Sequence, residues 1–559
     1  MSRAPLDVTG GRPASPGEFE IARQLVRRSG IVERLTPALE AEVGRPRELT
    51  LEALLVALQL NALRRHHQAH LVEATRVLNA MTDAQRATLG MARWDPDEAY
   101  PRVERLFVEV CRILESGDAG ADATWCANQL ARAAIPKDML TSHSVAVDGT
   151  DVETWGRLRG TTVQVDLDGE AAETQLIDET SAVPLTKKGK VRTAKVLAVG
   201  TDGRKQYTAD PDARAGHRSA KGNRNAGPFV GYELHLGVQV RDVRWTNHVD
   251  RTILGPEVPA VITTCNLVPA GSHRGQAIVD ELIATKPDVQ EMTDVVWDPG
   301  YSLCLPATTA YPLAQAGIEQ TLELVTHQRG IRPFAGEALL LDGQLYSQFL
   351  PTELRDLAMP PRYAPAPLRH RYEEKFNLRA QYRYVRHSKP DEDGVTRWKC
   401  PFCAGLLRSR QLPETMRRSR KAPLVQLPGW VTQCCNGTLS APPAELPLTQ
   451  RIPFGTSAWR ISMYRRQAVE SVNAALQGAF ANLARGFFRV FGRVKITFLL
   501  GFTFAAYNLD RVRGFRAKQA ELAGKPKRRA KRRLGTWRDC MSSQDTPPDD
   551  ATDAKGPPG

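Results

Sequence analysis

The sequence predicts a mixed α/β fold divided into several domains, and three observations lead to this expectation. Apolar residues recur at helical spacing over about the first 135 positions, and from about residue 140 they alternate with a period of two. Helical spacing returns at about residue 458. Strands followed by a helix, a further strand and later helices are typical of an α/β layer, and 559 residues suffice for several domains with a large core.

The composition of the chain indicates what kind of partner and which cell compartment to expect. The formal charge of +14 favours a polyanionic partner, either nucleic acid or an anionic membrane surface. The most apolar stretch, residues 496–507, is shorter than the roughly 20 residues that a membrane-spanning helix needs. The N-terminus has no apolar signal core, and nine cysteines in so long a chain do not form a disulfide scaffold. We therefore expect a cytoplasmic protein without a membrane partner.

The first predicted domain, residues 1–138, is helical. Thr50 opens a helix pattern over residues 51–63, and a second pattern follows over residues 70–81. These patterns fit a DNA-binding or dimerising domain, and they fit a helical cap over a catalytic core equally well.

The period of two marks residues 139–325 as the first part of a core that contains β-structure. Strands are predicted at residues 145–147 and 191–199, and a clean alternation over residues 231–240 predicts a longer one. A helix pattern over residues 275–285 precedes another strand, which runs up to Asp298. An acid at the end of a strand suits the active-site position of open α/β sheets.

Residues 326–455 differ in composition and are predicted to form a partly β insertion domain. Proline, arginine and aromatic residues become frequent, and an Asp-Gly pair within residues 338–346 predicts a hairpin. The helical last part of the core is expected over residues 456–515. The Lys- and Arg-rich residues 516–559 are predicted to be a disordered tail.

Four cysteines of the insertion are candidate metal ligands. Cys400 and Cys403 have the spacing of a zinc knuckle, and Cys434 and Cys435 follow later. Four thiolates would hold a structural Zn²⁺ tetrahedrally. Adjacent cysteines make a poor second knuckle, because neighbouring side chains diverge on an extended chain, so a small cluster of buried thiols is the alternative.

The most informative segment is residues 464–477. On a helix, Arg466, Glu470, Asn473 and Gln477 form one polar stripe, because they are separated by four, three and four positions. The residues that lie off this stripe and can face a core are Val469, Val472, Leu476 and Phe480.

Two further acids lie upstream, and each ends an apolar, strand-like run. Asp148 follows residues 144–147, and Asp298 follows residues 294–297. Taken singly, each acid also fits a turn residue or a helix N-cap, and Asp151 is a rival for the role of Asp148. Three carboxylates delivered by two strands and a helix are what a two-metal phosphoryl-transfer site needs.

These motifs resemble those of the RNase H-like DDE transposases of bacterial insertion sequences, in the group with a Tyr-Arg-Glu-Lys signature. The resemblance covers about residues 140–325 and 455–510. The matching segments are residues 147–150, 210–214, 231–236 and 298–301, together with Arg466 and Glu470.

The signature is not complete in this chain. The family places its tyrosine three positions before the arginine, whereas Tyr464 is two before Arg466. The family lysine, seven positions beyond the glutamate, is Gln477 here. Loss of that cation should weaken one phosphate contact and spare metal binding.

The resemblance implies an RNase H-like core in which Asp148, Asp298 and Glu470 are catalytic and hold two Mg²⁺ (or Mn²⁺) ions. The ions would activate a water for nicking at the element end, and the freed 3′-hydroxyl would then attack target DNA. Arg466 would contact a phosphate near the scissile bond. The implied partner is double-stranded DNA, comprising terminal repeats and target, held by a homodimer in the nucleoid.

Further DNA contacts are predicted on the helix stripe and in two basic, glycine-bearing loops, which suit a groove that follows the DNA backbone. Solvated hairpin loops are the alternative. The predicted contacts beyond Arg466 are Tyr464, Asn473, Lys187, Lys188, Arg218, Lys221 and Arg224.

Two other functions fit the same residues. A catalytically silent, transposon-derived DNA-binding protein would keep the fold and its basic surfaces. A nuclease of the same fold would cut DNA without strand transfer. The presence of all three acids argues against a silent protein.

Overall fold

The computed structural model describes most of the chain. The described residues are 8, 11–39, 47–64, 67–91, 93–158, 199–218, 226–245, 252–272, 274–289, 291–334, 338–361, 364–412, 422–427, 429, 438–444 and 449–523. Several predicted sites and nearly all of the predicted strand at 191–199 lie outside this part of the chain. The site residues outside it are Lys187, Lys188, Lys221, Arg224, Cys434 and Cys435.

The fold is mixed α/β, as the sequence predicts. The helices are α1 (Pro16–Arg28), α2 (Ile31–Leu39), α3 (Leu51–Ala62), α4 (Leu71–Asn79), α5 (Asp83–Thr88), α6 (Ala99–Ser116), α7 (Ala123–Ala133), α8 (Arg274–Val289), α9 (Pro299–Ser302), α10 (Ala310–Gln315), α11 (Thr352–Arg355), α12 (Ala366–Ala380), α13 (Ser457–Tyr464), α14 (Arg466–Ala474) and α15 (Arg493–Ala523). The strands are β1 (Ser144–Glu153), β2 (Arg214–Arg218), β3 (Gly227–Val240), β4 (Val243–Trp245), β5 (Thr252–Leu254), β6 (Ile262–Pro269), β7 (Asp294–Trp297), β8 (Glu319–Leu322), β9 (Ile331–Pro333), β10 (Leu339–Leu341), β11 (Gln344–Tyr346), β12 (Val385–Arg386), β13 (Thr396–Lys399) and β14 (Leu439–Ala441).

β1 lies in the middle of a six-stranded mixed sheet. β3 pairs antiparallel with β1, β2 and β6, whereas β7 pairs parallel with β1, and β8 pairs parallel with β7. The chain passes from β7 to β8 through α9 and α10, because a parallel pair requires a crossover connection. In register, Val147 lies opposite Gly237 of β3 and Trp297 of β7.

The two faces of this sheet bury different parts of the chain. Side chains alternate along β1, so that Ala146 packs into a cluster with the N-terminal helices, α14 and α15. Val145 and Val147 point the other way, into a cluster that contains residues of α8 and of the predicted insertion. The sheet is therefore covered on both faces, which suits its apolar central strands.

The N-terminal helices share their core with the C-terminal helix α15. Every residue of α3 except Glu52 is buried, and the Gln59 amide donates to the Phe502 carbonyl of α15. α15 approaches α7 closely at Gly501, where an added Cβ would lie 2.7 Å from the Cα of Ala127. Residues 1–138 thus do not bury their own core alone. The boundary predicted between 515 and 516 falls inside α15, which continues to Ala523.

The region predicted as an insertion contains two small antiparallel sheets, β9 to β11 and β12 to β14. The expected hairpin joins β10 to β11, and both of its turn residues, Asp342 and Gly343, have positive φ of 51° and 80°. Such a turn matches the twist of the strands. Leu345 and Phe402 belong to the same hydrophobic cluster as Trp297 of the main sheet. Part of the region therefore packs against the main sheet, and Leu341, Tyr346, Leu350 and Leu354 form a smaller cluster of their own.

Among the helices that the structure describes, none has both the length and the hydropathy needed to cross a membrane.

Candidate functional site

Asp148 lies within β1 rather than at its end, because the strand continues to Glu153. The sequence prediction of a strand end at Asp148 was therefore wrong: the polar residues that follow it still pair with β3. The Asp148 carboxylate is largely buried and accepts from its neighbour's amide, Gly149 N, at 3.0 Å. Asp151 is three positions along the strand, so its side chain leaves from the opposite face. There it lies 3.5 Å from Arg218, and the rival assignment is not favoured.

Asp298 directly follows β7 and caps the short helix α9. Its Oδ1 accepts from Gly300 N at 2.7 Å. Because Trp297 pairs with Val147 in the parallel register, Asp298 and Asp148 leave adjacent strands at the same level. Asp298 is thus a helix N-cap through Oδ1, as one interpretation of the sequence expected. Its other oxygen, Oδ2, is directed toward Arg466 of α14.

The polar stripe on α14 faces these two strands, as its spacing predicts. Arg466 Nη2 lies 3.9 Å from Asp298 Oδ2 and 3.2 Å from Glu470 Oε1. Asn473 Nδ2 donates to Asp148 Oδ2 at 3.1 Å. Gln477, in a π turn that follows α14, donates to Thr150 Oγ1 at 3.1 Å and to the Asp151 carbonyl at 2.7 Å. Each member of the stripe therefore contacts β1, one of the two strand acids or another member of the stripe.

The three predicted acids lie along one face of α14. Asp298 Oδ2 and Glu470 Oε1 cannot be farther apart than their two distances to Arg466 Nη2 combined. Asp148 is tied to the same helix through Asn473, one turn beyond Glu470. Asp298 and Glu470 keep about a third of their side-chain surface in solvent, 35% and 38% respectively, so a ligand can reach them.

Among the described residues, no three His, Cys, Asp or Glu side chains stand at the spacing that a metal ion requires. The Arg466 guanidinium lies near both Asp298 and Glu470 and serves as their counter-cation. The donor chemistry nevertheless suits Mg²⁺, which prefers carboxylate and amide oxygens and keeps several waters. Asn473 Oδ1 is buried beside Asp148 and has no hydrogen-bond partner within the described chain, so it could accept from such a water.

The position of α14 depends on a buried ion pair that the sequence analysis did not single out. Arg465 Nη2 lies 2.6 Å from Asp294 Oδ2, and both side chains are 4% exposed. Asp294 begins β7, and it also accepts from Ser144 at the start of β1. Arg465 immediately precedes Arg466, so the pair joins the start of α14 to both acid-bearing strands. The sequence offered one signal for this ion pair, which is that the acid Asp294 stands at the start of a buried apolar run.

The predicted DNA contacts fall into different environments. Tyr464 is 37% exposed at the end of α13, and the stripe residues are described above. Arg218 is held in ion pairs with Asp151 and Glu153 and stacks over the Phe229 ring at 5.2 Å. As it stands, Arg218 stabilises the paired ends of β1, β2 and β3 rather than extending into solvent. The four predicted loop lysines and arginines lie outside the described residues.

The structure describes two of the four proposed zinc ligands, Cys400 and Cys403. The Cys403 amide donates to Cys400 Sγ at 3.4 Å across a turn, a contact that stabilises a thiolate in a metal-binding knuckle and in a buried thiol pair alike. Because Cys434 and Cys435 lie outside the described chain, zinc binding stays a prediction.

Comparison with protein-family models, with curated proteins and with solved structures finds no match to this chain.

Proposed function

We propose that this protein is a DNA transposase, which nicks the ends of an insertion sequence and joins the 3′-hydroxyls to target DNA. The proposal includes an RNase H-like core. Its support is a sheet in which three antiparallel strands, β6, β3 and β1, continue into the parallel strands β7 and β8. This order puts the first acid on the central strand and the second at the end of its parallel neighbour.

The observation that carries the proposal is the contact of one helix face with both acid-bearing strands. Arg466 approaches Asp298, and Asn473 binds Asp148. The segments that carry Asp148, Asp298 and Glu470 are separated by 150 and 172 positions in the sequence. They meet where the pairing of β1 with β7 ends. A solvated polar stripe would not need this pairing, because surface side chains gain little from such contacts.

Each side chain has a distinct task in this chemistry. Asp148, Asp298 and Glu470 would hold Mg²⁺, which when bound polarises the phosphodiester and favours ionisation of a water or a 3′-hydroxyl. The Asn473 amide fixes the orientation of the Asp148 carboxylate. Arg466 can exchange its carboxylate contacts for a phosphate oxygen, since its guanidinium presents several donors in one plane.

The test measures cleavage and strand transfer on DNA that carries the sequences flanking this gene, in Mg²⁺. Asp148→Asn, Asp298→Asn and Glu470→Gln should each reduce both reactions at least a hundred-fold while leaving the fold intact. Glu374→Gln is the matched control, because Glu374 also pairs with a basic side chain, His370, four positions away on a helix and is exposed. The control should retain wild-type rates.

The outcomes separate the competing functions. Cleavage without joining of a pre-cleaved end to plasmid DNA indicates a nuclease of the same fold. DNA binding with no reaction by the wild-type protein indicates a catalytically silent binding protein. Equal activity of the Glu470 variant and the wild type contradicts the proposed site.

A further inference from the structure

A second exposed surface lies beyond the far end of β1 and combines aromatic and basic side chains. Trp155 and Phe491 are 42% and 36% exposed. We call this region the Trp155 surface, and it consists of Trp155, Arg157, Arg485, Arg489, Phe491 and Arg493.

The chain holds the Trp155 ring in a defined place. Arg489 lies over the ring at 5.2 Å, and Gly486, with φ of 97°, passes so close that an added Cβ would lie 3.2 Å from the ring. Arg485 donates to the carbonyl of Gly156, the next residue, at 3.1 Å. A guanidinium and the Gly486 backbone therefore cover part of the ring, and 42% of Trp155 stays exposed to solvent.

A buried carboxylate joins the two aromatic residues. Asp210 accepts from Thr154 Oγ1 at 2.7 Å and from Gly492 N at 3.0 Å. These partners are the immediate neighbours of Trp155 and Phe491. Because Asp210 is fully buried and also accepts from Tyr232 at 2.7 Å, it fixes both segments to the main sheet.

The surface carries a net positive charge. Within the described chain, Arg157, Arg485, Arg489 and Arg493 make no ion pair with a carboxylate. The nearby acid Asp212 is turned to the backbone, where it accepts from Arg493 N at 2.7 Å at the start of α15. Four cations around exposed rings match the composition of surfaces that bind single-stranded nucleic acid through stacking and phosphate contacts.

We propose that the Trp155 surface is a stacking platform for an unpaired nucleotide of the DNA strand that reaches the carboxylate site. This inference rests on the proposed function for the identity of the strand. β1 runs extended from Asp148 to Glu153, which spans roughly 17 Å at about 3.3 Å per residue. At about 3.4 Å per nucleotide along a strand, the platform lies about five or more nucleotides from the carboxylates.

The first experiment needs neither metal nor cleavage, so it can fail independently of the proposed function. Binding of fluorescent (dT)15 is measured in EDTA for wild type, Trp155→Ala and Trp155→Phe. Loss of one stacked base should weaken binding about ten-fold in Trp155→Ala, and the phenyl ring should restore most of it. Trp125→Ala is the matched control, because Trp125 also has an arginine, Arg34, over its ring at 5.5 Å.

A second polyanion separates stacking from charge. Heparin has no bases, so Trp155→Ala should bind it as wild type does, whereas Arg485→Ala with Arg489→Ala should bind both polyanions more weakly. The proposal is overturned if Trp155→Ala binds (dT)15 like wild type, if Trp125→Ala loses as much, or if heparin and (dT)15 respond equally to Trp155→Ala. A thermal unfolding midpoint within a few degrees of wild type shows that the variants are folded.

Discussion

Arg465 and Asp294 form a buried ion pair that fixes the helix carrying Glu470 against the strands carrying Asp148 and Asp298. The two side chains meet at 2.6 Å, with almost no exposure to solvent. Arg465 also donates to the Arg241 carbonyl at 2.9 Å, and Asp294 accepts from Ser144 at 3.0 Å. The pair therefore connects the starts of β1, β7 and α14 with the residue that follows β3, at the end of the sheet opposite the acids.

Removing one partner of this pair should destabilise the protein strongly. Asp294→Asn leaves the Arg465 charge buried without a counter-ion, which typically costs about 3–5 kcal/mol. We expect a clear fall in the denaturation midpoint, measured by circular dichroism. Asp83→Asn breaks the exposed pair with Arg86 and should cost at most about 1 kcal/mol. A change in Asp294→Asn as small as in this control would contradict the structural role.

Arg466 and Glu470 should have opposite effects on cation binding. Arg466→Ala removes the counter-cation shared by Asp298 and Glu470, so a divalent ion should bind several-fold more tightly in the absence of DNA. Glu470→Gln removes a ligand and should bind the ion more weakly. Calorimetric titration with Mn²⁺ measures both. Unchanged affinity in Arg466→Ala would show that the guanidinium does not compete for these carboxylates.

The same two variants should differ in DNA binding. Glu470→Gln should bind element ends with unchanged or slightly higher affinity, because one negative charge near phosphate is lost. Arg466→Ala should bind more weakly and lose about one phosphate contact from the salt dependence. Anisotropy titrations at several salt concentrations test this difference, and equal salt slopes for Arg466→Ala and wild type would contradict a phosphate contact.

Gln477→Lys should restore a cation at the point where the family signature has one. Gln477 is fixed by two hydrogen bonds to β1, the strand that carries Asp148. A lysine there should raise DNA affinity and steepen its salt dependence by about one phosphate contact. Gln477→Met, similar in size but uncharged, is the control and should leave the slope unchanged. If both variants have the wild-type slope, position 477 does not face DNA.

Glu281 should make stability depend on pH. Burial, followed by the charge of Asp122, raises the pKa of this carboxyl to about 7 from an ordinary value of 4.5. The folded state then binds the proton more tightly than the unfolded state, so stability falls as pH rises from about 4.5 to 7 and is constant above. Glu281→Gln retains an acceptor for Asn128, which donates to Glu281 at 2.9 Å, and removes the charge.

The Glu281 variant should consequently be more stable than wild type at pH 8, by on the order of 1–3 kcal/mol, and indistinguishable from it at pH 4.5. Denaturation midpoints across this range provide the measurement. Parallel pH profiles for the two proteins would contradict the raised pKa.

The sequence predicts those parts of the site that depend on local periodicity. The spacing of Arg466, Glu470 and Asn473 defines a helix face whatever surrounds it, and the structure places that face against the sheet. The extent of β1 was not predictable, because residues 148 to 153 contain one apolar side chain, Val152, and continue as a strand only through pairing with β3. Pairing across 78 to 88 positions leaves no local signal.

Interactions between distant segments account for the other differences. The bond from Asn473 to Asp148 and the pair of Arg465 with Asp294 depend on where α14 packs, which periodicity alone does not give. The composition change at residues 326–455 is real, but Phe402 and Trp297 still share one hydrophobic cluster. A boundary in composition is therefore not a boundary in packing.

The packing of α15 against α3 also bears on how the chain is synthesised. α3 leaves the ribosome several hundred residues before α15, yet Phe498 and Phe502 of α15 complete the core in which α3 and α6 are buried. Until α15 emerges, the nascent N-terminal helices expose apolar surface that is available to chaperones. Glu470 is likewise synthesised 322 residues after Asp148, so the three acids can meet only once α14 has been made.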